Sequence, residues 1–387
     1  MPVPGFTYDQ LPQRVVFGVD AARTAIGPEI DRLGARRVLA IASTRDAERV
    51  AALLAPLGGR VVGTFTEVRE HVPLPTAEAA RAAAAAAGAD LLLAIGGGST
   101  IGAAKAVAMT ARLPIVAVPT TYAGSEITPI WGLTEEGHKK TGVDPVVLPR
   151  VVIYDPTLTA TLPPDLAAAS GFNALAHAVE AMWAPGRNPV STAVAAEAVE
   201  RLAAGLRAGV AMGAASGPGG STGAGARDGP IAVDPAELLC GAWLGSSAFA
   251  VAGSGLHHKL CHVLGGTFGL PHARTHAVVL PHVLAFNAPG APDSASRVAR
   301  ALGVDDAVAG LRALADAHAI PRGLRALGMP EAAVEEAAAL TAPAVPADNP
   351  VPITEGAMLR LVQAAWSGSD DVLDAASHRR KNGDSPS

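Results

Sequence analysis

The sequence is poor in several features that mark specialised classes of protein. It contains two cysteines, Cys240 and Cys261, which are too few for a disulfide framework or for a zinc site made of several cysteines. We therefore expect both to be buried thiols of a reducing compartment. No stretch approaches the roughly 18 continuous apolar residues of a membrane-spanning helix, and the N-terminus lacks the basic and apolar regions of a signal peptide. The expected location is the cytoplasm, without a membrane partner.

The chain also has only a small excess of charge of one sign. Thirty Lys and Arg residues face thirty-five Asp and Glu residues, which leaves a formal net charge of -5. This balance provides no electrostatic attraction to nucleic acid, so a small molecule is the expected partner. Hydrophobic residues, by contrast, make up 49% of the 387 positions. That fraction is enough to bury the cores of two domains, the number expected at this length.

The first half of the chain alternates short aliphatic runs with alanine-rich segments of helical length. The runs that predict strands are 14–18, 37–42, 60–65, 90–96, 114–120 and 150–155. Strands separated by helical segments predict parallel βαβ units, in which ligands bind at the carboxyl ends of the strands. After Asp155 this alternation stops.

The second half is rich in Ala and Leu. Helices are predicted over 165–184, 190–212, 235–252, 255–265, 294–302, 305–317 and 331–341. The predicted fold is therefore a two-domain protein, with an α/β domain and mostly parallel sheet in residues 1–160, an all-α helical domain in 161–370, and a binding cleft between them. Two segments have little to bury: 213–230, predicted to be a mobile surface loop, and 371–387, predicted to be a disordered tail.

A glycine-rich turn in the first half has the character of a phosphate site. The apolar run 91–95 is followed by three glycines and Ser99, and then by the helical segment 100–111. Glycines at a strand-to-helix turn let the backbone approach a phosphate, and the helix start supplies N–H donors with a partial positive charge. The spacing differs from the Rossmann fingerprint, so a plain tight turn is the alternative.

Hydroxyl side chains follow the next strand. The segment PTTYAGSE (119–126) contains Thr120, Thr121, Tyr122 and Ser125, and Thr128 comes shortly after. At the end of the second strand, where NAD-binding proteins often carry an acidic residue for the ribose, this chain has Ser43. Selection against a 2′-phosphate should then be weak, so the expected cofactor is NADH or NADPH.

Histidines cluster in the second half. Asn173 and His177 lie four residues apart, as do His258 and His262, so each pair shares a helical face. The following segment adds His272, His276 and His282. Such a group suggests a site for Fe²⁺ or Zn²⁺.

A metal at this site would lack an anionic ligand. Asn173 has a neutral amide, and we predict that Glu180 points off the face shared by Asn173 and His177. We therefore favour imidazoles that act without a metal, as proton donors and anion binders.

Together these motifs resemble the iron-containing alcohol dehydrogenase superfamily. The resemblance is carried by GGGST (96–100), PTTYAGSE (119–126), FNALAHAVEA (172–181) and HHKLCHVLGGTFGLPHARTHAVVLPH (257–282), and it runs from about Phe6 to Gly368. Within the superfamily, the combination of PTTYAGSE, VVIYDP, Asn-x-x-x-His and HHKLCH is similar to the maleylacetate reductases. This resemblance implies a fold like that of dehydroquinate synthase, and a homodimer.

The resemblance also implies roles for individual residues. The pyrophosphate would bind to Gly97, Gly98 and Ser99, and the rest of the cofactor would be lined by Thr120, Thr121, Thr128 and Lys140, with Ser43 where NAD-preferring relatives have Asp. The metal-dependent members use an Asp and three His, and these roles would fall on Asn173, His177, His258 and His272. Because the Asp is absent here, as it is in maleylacetate reductases, no metal is expected.

The implied reaction is the reduction, by NADH or NADPH, of the C=C bond of maleylacetate, a small dicarboxylate, to 3-oxoadipate in aromatic-compound catabolism. We expect His177, His258 and His272 to surround the ketone, with Asn173 as a neutral partner. Tyr122, Lys259 and Arg274 are weaker candidates for substrate contact, because a dianion requires cationic or hydroxyl partners. Two alternatives remain: a metal-dependent (Fe or Zn) alcohol or aldehyde dehydrogenase of the same superfamily, and a nucleotide-binding protein without catalysis.

Overall fold

The computed structural model describes residues 5–135, 138–215 and 232–369. Within them the chain forms two compact units. Asp9–Leu162 make up the first unit, and the residues from Pro163 onward, joined by those that precede Asp9, make up the second.

The first unit is an α/β structure. Its strands and helices are, in chain order, β1 (Arg14–Phe17), α1 (Ala21–Arg32), β2 (Val38–Ala42), α2 (Ala47–Leu54), β3 (Val61–Phe65), α3 (Leu74–Ala87), β4 (Leu91–Gly96), α4 (Gly98–Ala111), β5 (Ile115–Pro119), β6 (Ile130–Glu135), β7 (His138–Val143), β8 (Val151–Tyr154) and α5 (Pro156–Thr159). Six strands form one parallel sheet in the order β1-β8-β5-β4-β2-β3. All six predicted strands lie in this sheet, so the predicted parallel α/β fold is confirmed.

The central strands are buried along their whole length, which explains their composition. This holds for β2, β4, β5 and β8. A strand that is covered on both faces has apolar residues at successive positions, not at alternate ones. Because β4 and β5 are paired in parallel up to Gly96 and Pro119, the glycine turn and the hydroxyl-rich segment leave the sheet side by side.

An antiparallel hairpin in this unit was not predicted. Strands β6 and β7 pair from Ile130 opposite Val143 to Glu135 opposite His138. The second strand, HKKTGV, lacks the alternating apolar residues by which a half-buried strand is recognised. The hairpin is attached to the segment before α3, since the Thr134 N–H donates to the Val72 carbonyl oxygen at 3.1 Å.

The second unit is helical, as predicted. Its helices are α6 (Pro164–Ala181), α7 (Pro189–Ala215), α8 (Pro235–Ala252), α9 (Leu256–Phe268), α10 (His272–Asn287), α11 (Pro292–Ala301), α12 (Ala307–Ala317), α13 (Ala333–Thr341) and α14 (Glu355–Ser367). Helices α10 and α14 were not predicted. In α10 the reason is Pro281, which lies inside the helix, because proline in a helical pattern ordinarily indicates a helix end.

Small residues let the central helices of this unit approach closely. A Cβ atom on Gly241 of α8 would lie 2.6 Å from Leu202 Cγ of α7, and one on Gly245 would lie 3.1 Å from the Ala174 carbonyl oxygen of α6. Larger side chains would force the helices apart. Helix α6 is consequently buried on all sides from Ala167 to Ala181, so its polar side chains lie inside the unit.

Parts of two predictions fall outside the described residues. Helix α7 continues to Ala215, so the first three residues of the predicted loop 213–230 are helical. Residues 216–230 and the predicted tail 371–387 are not among those described. Over the described ranges, no single helix has the length and apolarity to cross a membrane, and α8 and α9 would qualify only if taken together across a bend of 102°.

Asp155 connects the last strand of the sheet to two helices. Its buried carboxylate accepts hydrogen bonds from the Asp20 and Ala22 N–H groups at 3.2 and 3.1 Å. It also accepts from the Thr157 N–H and hydroxyl at 3.0 and 2.7 Å. The first two donors lie at the start of α1 and the others at the start of α5. One side chain therefore caps both helices.

Asp155→Ala should lower the free energy of unfolding by about 2–4 kcal/mol, because it leaves four donors without their acceptor, among them the buried Ala22 N–H. Asp144→Ala is the matched control in the same unit. Asp144 accepts one such bond, from the Val146 N–H at 2.9 Å, and its loss should cost about 1 kcal/mol. Urea denaturation followed by circular dichroism measures both values. Equal costs would contradict the double capping role.

Candidate active site

The glycine turn leads directly into α4. Gly97 is the N-cap residue in an extended conformation, and the helix begins at Gly98. The Gly97 carbonyl accepts from the Thr100 and Ile101 N–H groups at 3.0 and 3.1 Å. The N–H groups of Gly98 and Ser99 belong to the first turn, where the helix itself provides no acceptor. Together with the helix dipole, they can bind a phosphate at this end of α4.

Two loops meet at the carboxyl edge of the sheet. A Cβ atom on Gly97 would lie 3.1 Å from Thr121 Cγ2 and 3.3 Å from Thr121 Oγ1. Beside this contact, the Thr120 N–H donates to the Gly96 carbonyl oxygen at 3.1 Å. The threonines predicted to line the cofactor are therefore brought against the glycine turn, and the missing side chain at Gly97 allows that approach.

The other residues predicted to bind cofactor or substrate in this unit have no direct contact with the glycine turn among the described contacts. Ser43 follows β2 and forms a backbone bridge with Glu67, and Thr128 is buried in the segment after β5. Lys140 is an exposed residue of β7 that forms an ion pair with Glu135. Tyr122, predicted to contact the substrate, is completely buried.

In the second unit, α6 and α9 bring two of the predicted histidines into direct contact. The rings of His177 and His258 stack with centroids 4.9 Å apart and planes inclined by 11°. Phe249 of α8 packs on both, with centroids 4.9 Å from His177 and 4.3 Å from His258. Ser246 Oγ lies 3.4 Å from His177 Nδ1. Three helices thus enclose this pair of imidazoles.

Glu180 contacts His258 of this pair, although we predicted that it points off the face shared by Asn173 and His177. Its Oε2 lies 2.6 Å from His258 Nδ1, and its Oε1 accepts a hydrogen bond from the His257 N–H at 2.6 Å. The separation of three residues between His177 and Glu180 was the available signal, because residues i and i+3 are neighbours on a helix. Glu180 therefore fixes the orientation of the His258 ring.

Four buried polar atoms of this cluster and its neighbouring histidines point to a ligand. In the described part of the chain, Asn173 Oδ1, His258 Nε2, His257 Nδ1 and His276 Nε2 are buried without a hydrogen-bond partner. Asn173 lies one helical turn before His177 on α6. Buried polar atoms are almost always paired, so an unpaired set beside stacked imidazoles indicates a place for substrate or ion.

Four further histidines form a second layer around this centre, whereas the predicted His282 is bound elsewhere, with its Nε2 2.9 Å from the Arg322 carbonyl oxygen. His257 Nε2 lies 2.9 Å from His276 Nδ1 and 3.6 Å from Cys261 Sγ. The ring of His276 contacts those of His258 and His272, at centroid distances of 5.0 and 4.5 Å. His272 therefore joins the cluster through His276. His262 lies farther out on α9, with its ring 6.2 Å from that of His258.

Burial makes the inner imidazoles poor bases. Burial, reinforced by neighbouring histidines, lowers the pKa of His177 and of His257 to about 3. The same causes lower the pKa of His258 and of His276 well below the ordinary value. These side chains are consequently neutral at neutral pH and act through hydrogen bonds, not as imidazolium ions.

The two cations predicted to meet the substrate differ in their surroundings. Burial raises the pKa of Glu180 to about 7, and hydrogen bonds from backbone N–H groups and, least, the charge of Lys259 oppose that shift. Arg274 is exposed and pairs with Asp165 at 2.7 Å. Its charge is already compensated, which weakens the case for substrate contact.

Two sets of side chains are candidates for metal ligands. The resemblance assigns Asn173, His177, His258 and His272, which offer neutral donors and no anion. His257, Cys261 and His276 have ligand atoms within 4.8 Å of one another, but burial raises the pKa of the Cys261 thiol well above its ordinary value. Neutral donors alone bind a divalent cation weakly, so neither set fits one well.

The fold and these motifs define a family. The sequence pattern described as iron-containing alcohol dehydrogenase matches residues 12–156. The pattern of the C-terminal part of the Fe-containing alcohol dehydrogenase family matches residues 167–366. The chain belongs to the iron-containing alcohol dehydrogenase family, and the protein is an oxidoreductase that depends on a nicotinamide cofactor.

Within this family, the chain is similar over nearly its whole length to maleylacetate reductases and to a solved iron-containing alcohol dehydrogenase. The chain is 45% identical to a maleylacetate reductase of Sphingobium indicum over 369 residues, which is 94% of this chain and 98% of that protein. A solved iron-containing alcohol dehydrogenase of Corynebacterium glutamicum is 44% identical, with a TM-score of 0.87 over 96% of this chain and 99% of that one. A solved maleylacetate reductase of Agrobacterium tumefaciens is 38% identical, with a TM-score of 0.84 over 95% and 99%.

The two cysteines should react at different rates. Cys240 is half-buried, contrary to the prediction that both thiols are buried, whereas Cys261 is buried. Burial raises the pKa of both thiols, more strongly at Cys261, and the thiolate is the reactive form. Iodoacetamide should therefore modify Cys240 first in the native protein, as measured by peptide mass spectrometry. Unfolded protein is the control, in which both react. Faster modification of Cys261 would show that the histidine cluster is open to solvent.

Proposed function

We propose that the protein reduces the C=C bond of maleylacetate to give 3-oxoadipate, with NADH or NADPH as reductant and without a bound metal. The observation that carries this proposal is the buried contact between His177, His258 and Glu180. Beside it stands the neutral Asn173, where the resemblance gives metal-dependent relatives an Asp. The near full-length similarity to maleylacetate reductases supports the choice of substrate.

The chemistry of the substrate limits what the protein has to supply. In maleylacetate the C=C bond is conjugated with a ketone. The bound reduced nicotinamide supplies a hydride to the carbon β to that ketone, and the electron pair of the C=C bond moves onto the ketone oxygen. The resulting enolate takes one proton at the α carbon, which gives the saturated ketone. The side chains must therefore stabilise one negative oxygen and deliver one proton.

We assign stabilisation of the enolate to the buried centre. Because burial raises the pKa of Glu180 to about 7, its protonated carboxyl group can donate to His258 Nδ1, which places the ring hydrogen of the neutral imidazole on Nε2, where it can donate to the enolate oxygen. Glu180 is thus a positioning residue that acts through His258, while Asn173 and His177 add an amide and a second imidazole nearby. Hydrogen bonds in a site that excludes water stabilise a developing oxyanion far more than they would in water.

We assign delivery of the proton to the edge of the cluster. His262 and His272 are exposed, so each can exchange protons with solvent, whereas the inner imidazoles cannot do so readily. His272 also touches the second layer through His276. A proton taken from solvent at this edge would complete the reduction.

The cofactor is assigned to the first unit. The N–H groups of Gly98 and Ser99 would bind the pyrophosphate, with Gly97 giving the close approach and Thr120 and Thr121 lining the adjoining loop. A small uncharged Ser43 in place of an acid would tolerate a 2′-phosphate. Thr128 and Lys140 have less support as direct cofactor ligands, because Lys105 contacts the Thr128 hydroxyl and Glu135 pairs with Lys140.

A metal-dependent alcohol or aldehyde dehydrogenase is the second candidate. One observation favours it: a carboxyl group holds His258 at Nδ1 while Nε2 stays unpaired. Histidines that ligate metals are commonly held in this way. The neutral donor set argues against it.

Removal of metal separates these candidates. After dialysis against a chelator, the protein should oxidise NADH with maleylacetate at its full rate, and added Fe²⁺ or Zn²⁺ should not raise that rate, because no step requires a Lewis acid. Plasma mass spectrometry on the same samples verifies that metal has been removed. Activity that disappears with the chelator and returns with metal would identify the second candidate.

His258→Ala should lower kcat about 10²–10³-fold and leave the Kd for NADH almost unchanged, because it removes a partner of the enolate and not of the dinucleotide. Glu180→Gln should lower kcat less, since its amide oxygen can still accept from the His257 N–H. Steady-state kinetics and NADH fluorescence titration measure both quantities.

His318→Ala is the matched control for these variants. His318 belongs to the same unit, and its Nε2–H donates to the Leu206 carbonyl oxygen at 2.8 Å. Its replacement should leave kcat and the Kd for NADH near the wild-type values. If His258→Ala lost turnover and NADH binding equally, the assignment of His258 would be wrong.

Other expectations stay predictions. The homodimer rests on the family resemblance, the cytoplasmic location on composition, and the exclusion of nucleic acid on the net charge.

A further inference from the structure

Lys105 is a buried cation that sequence analysis did not single out. It lies in the second turn of α4, and its side chain is 1% exposed. Its Nζ donates to the carbonyl oxygens of Ser125 at 2.6 Å, Thr128 at 2.7 Å and Ile130 at 2.7 Å. The Thr128 hydroxyl lies 3.3 Å from the same nitrogen. All of these acceptors belong to the segment that follows β5.

The ammonium group is fully used by these contacts. It has three N–H donors, and three carbonyl oxygens lie at short distance. Burial lowers the pKa of Lys105 to about 7, and the nearby Glu126 carboxyl opposes that shift. Because no donor is left over, Lys105 does not serve as a direct ligand of a phosphate. Its role must be exerted through the segment that it holds.

That segment has little other regular structure. After β5 ends at Pro119, the chain passes through a single short turn at Ser125–Ile127 before β6 begins at Ile130. Buried carbonyl groups of an irregular segment require hydrogen-bond donors from elsewhere. Lys105 provides such donors to three carbonyl groups, from the helix whose first turn carries Gly98 and Ser99.

The segment and the helix each carry one half of the proposed cofactor site. Thr120 and Thr121 stand at the start of the segment, and Thr121 touches the glycine turn at the start of α4. The contact at Gly97 fixes one end of the segment, and Lys105 fixes the other. A shift of a few tenths of an ångström would change the distance between the threonine hydroxyls and the helix N-terminus.

We propose that Lys105 is a positioning residue for the nicotinamide cofactor: it holds the segment 120–130 on α4, so that the threonines and the helix N-terminus bind one dinucleotide together. This inference rests on the proposed assignment of the cofactor to the first unit. A purely structural role would also explain the buried contacts, so the test must separate cofactor affinity from stability.

Lys105→Met is the informative variant, with Arg81→Met as its matched control. Arg81 Nε also donates to a backbone carbonyl of α4, that of Ala106 at 3.0 Å, but it comes from α3 and forms no hydrogen bond with the described residues of the segment 120–130. Both substitutions remove a cation that binds a backbone carbonyl group. Of the two, only Lys105→Met removes hydrogen bonds to the segment 120–130.

Lys105→Met should raise the Kd for NADH at least about tenfold and change kcat at saturating NADH less than about threefold. Hydrogen exchange in the segment 120–130 should become faster. Lys105→Arg, which retains charge and donors, should recover part of the affinity, and Arg81→Met should change neither Kd nor exchange in the segment. Should Lys105→Met fail to fold, Lys105→Gln is measured in the same way.

The outcomes separate this inference from the proposed function. If Lys105→Met loses stability but binds NADH like the wild type, Lys105 is structural and the inference is wrong. An equal loss of affinity in Arg81→Met would also overturn it. If the wild-type protein binds neither NADH nor NADPH, the cofactor assignment itself fails.

Discussion

A polar group can remain inside a protein only where hydrogen bonds replace its hydration, and both candidate sites depend on this constraint. Glu180 is completely buried in the helical unit and is satisfied by the His257 N–H and the His258 ring. Lys105 is buried in the α/β unit and is satisfied by three carbonyl groups. Each group costs desolvation energy, and each fixes part of one candidate site through its hydrogen bonds. Removing either would leave several partners unpaired at once.

The histidine cluster illustrates how environment decides the use of a side chain. An exposed imidazole titrates near neutral pH, whereas stacked imidazoles under Phe249 are held neutral by burial. Only the outer members, His262 and His272, are exposed. The cluster is therefore graded, from neutral hydrogen-bonding groups inside to groups in contact with solvent outside. Such a gradient suits a reaction that creates an oxyanion in a dry site and then requires one proton.

Much of the fold could be predicted because the strands and helices have strong periodic patterns. Buried parallel strands such as β4 and β5 are continuous aliphatic runs, and these were found. The hairpin of β6 and β7 was missed because its second strand is polar, and α10 was missed because Pro281 interrupts the pattern. At the site, helical spacing and family motifs led to His177 and His258. They did not lead to Glu180 or Lys105. The spacing of three residues between His177 and Glu180 was consistent with a role for Glu180 but did not identify its hydrogen-bond partners, because the partners of Glu180 and of Lys105 are distant in sequence and become neighbours only through folding.

The glycines at the helix contacts of the second unit have a consequence for the evolution of the protein. Gly241 and Gly245 lie where an added Cβ would meet a neighbouring helix, and aromatic residues make up 4% of the chain. The unit thus packs through the close approach of backbones more than through large side chains. Substitutions at these glycines are strongly restricted, because a larger side chain on one helix requires a smaller side chain at the same time on the facing helix. We therefore expect lineages of this protein to diverge on helix surfaces while the spacing of α6, α7 and α8, and the positions of the polar side chains that α6 carries, change little.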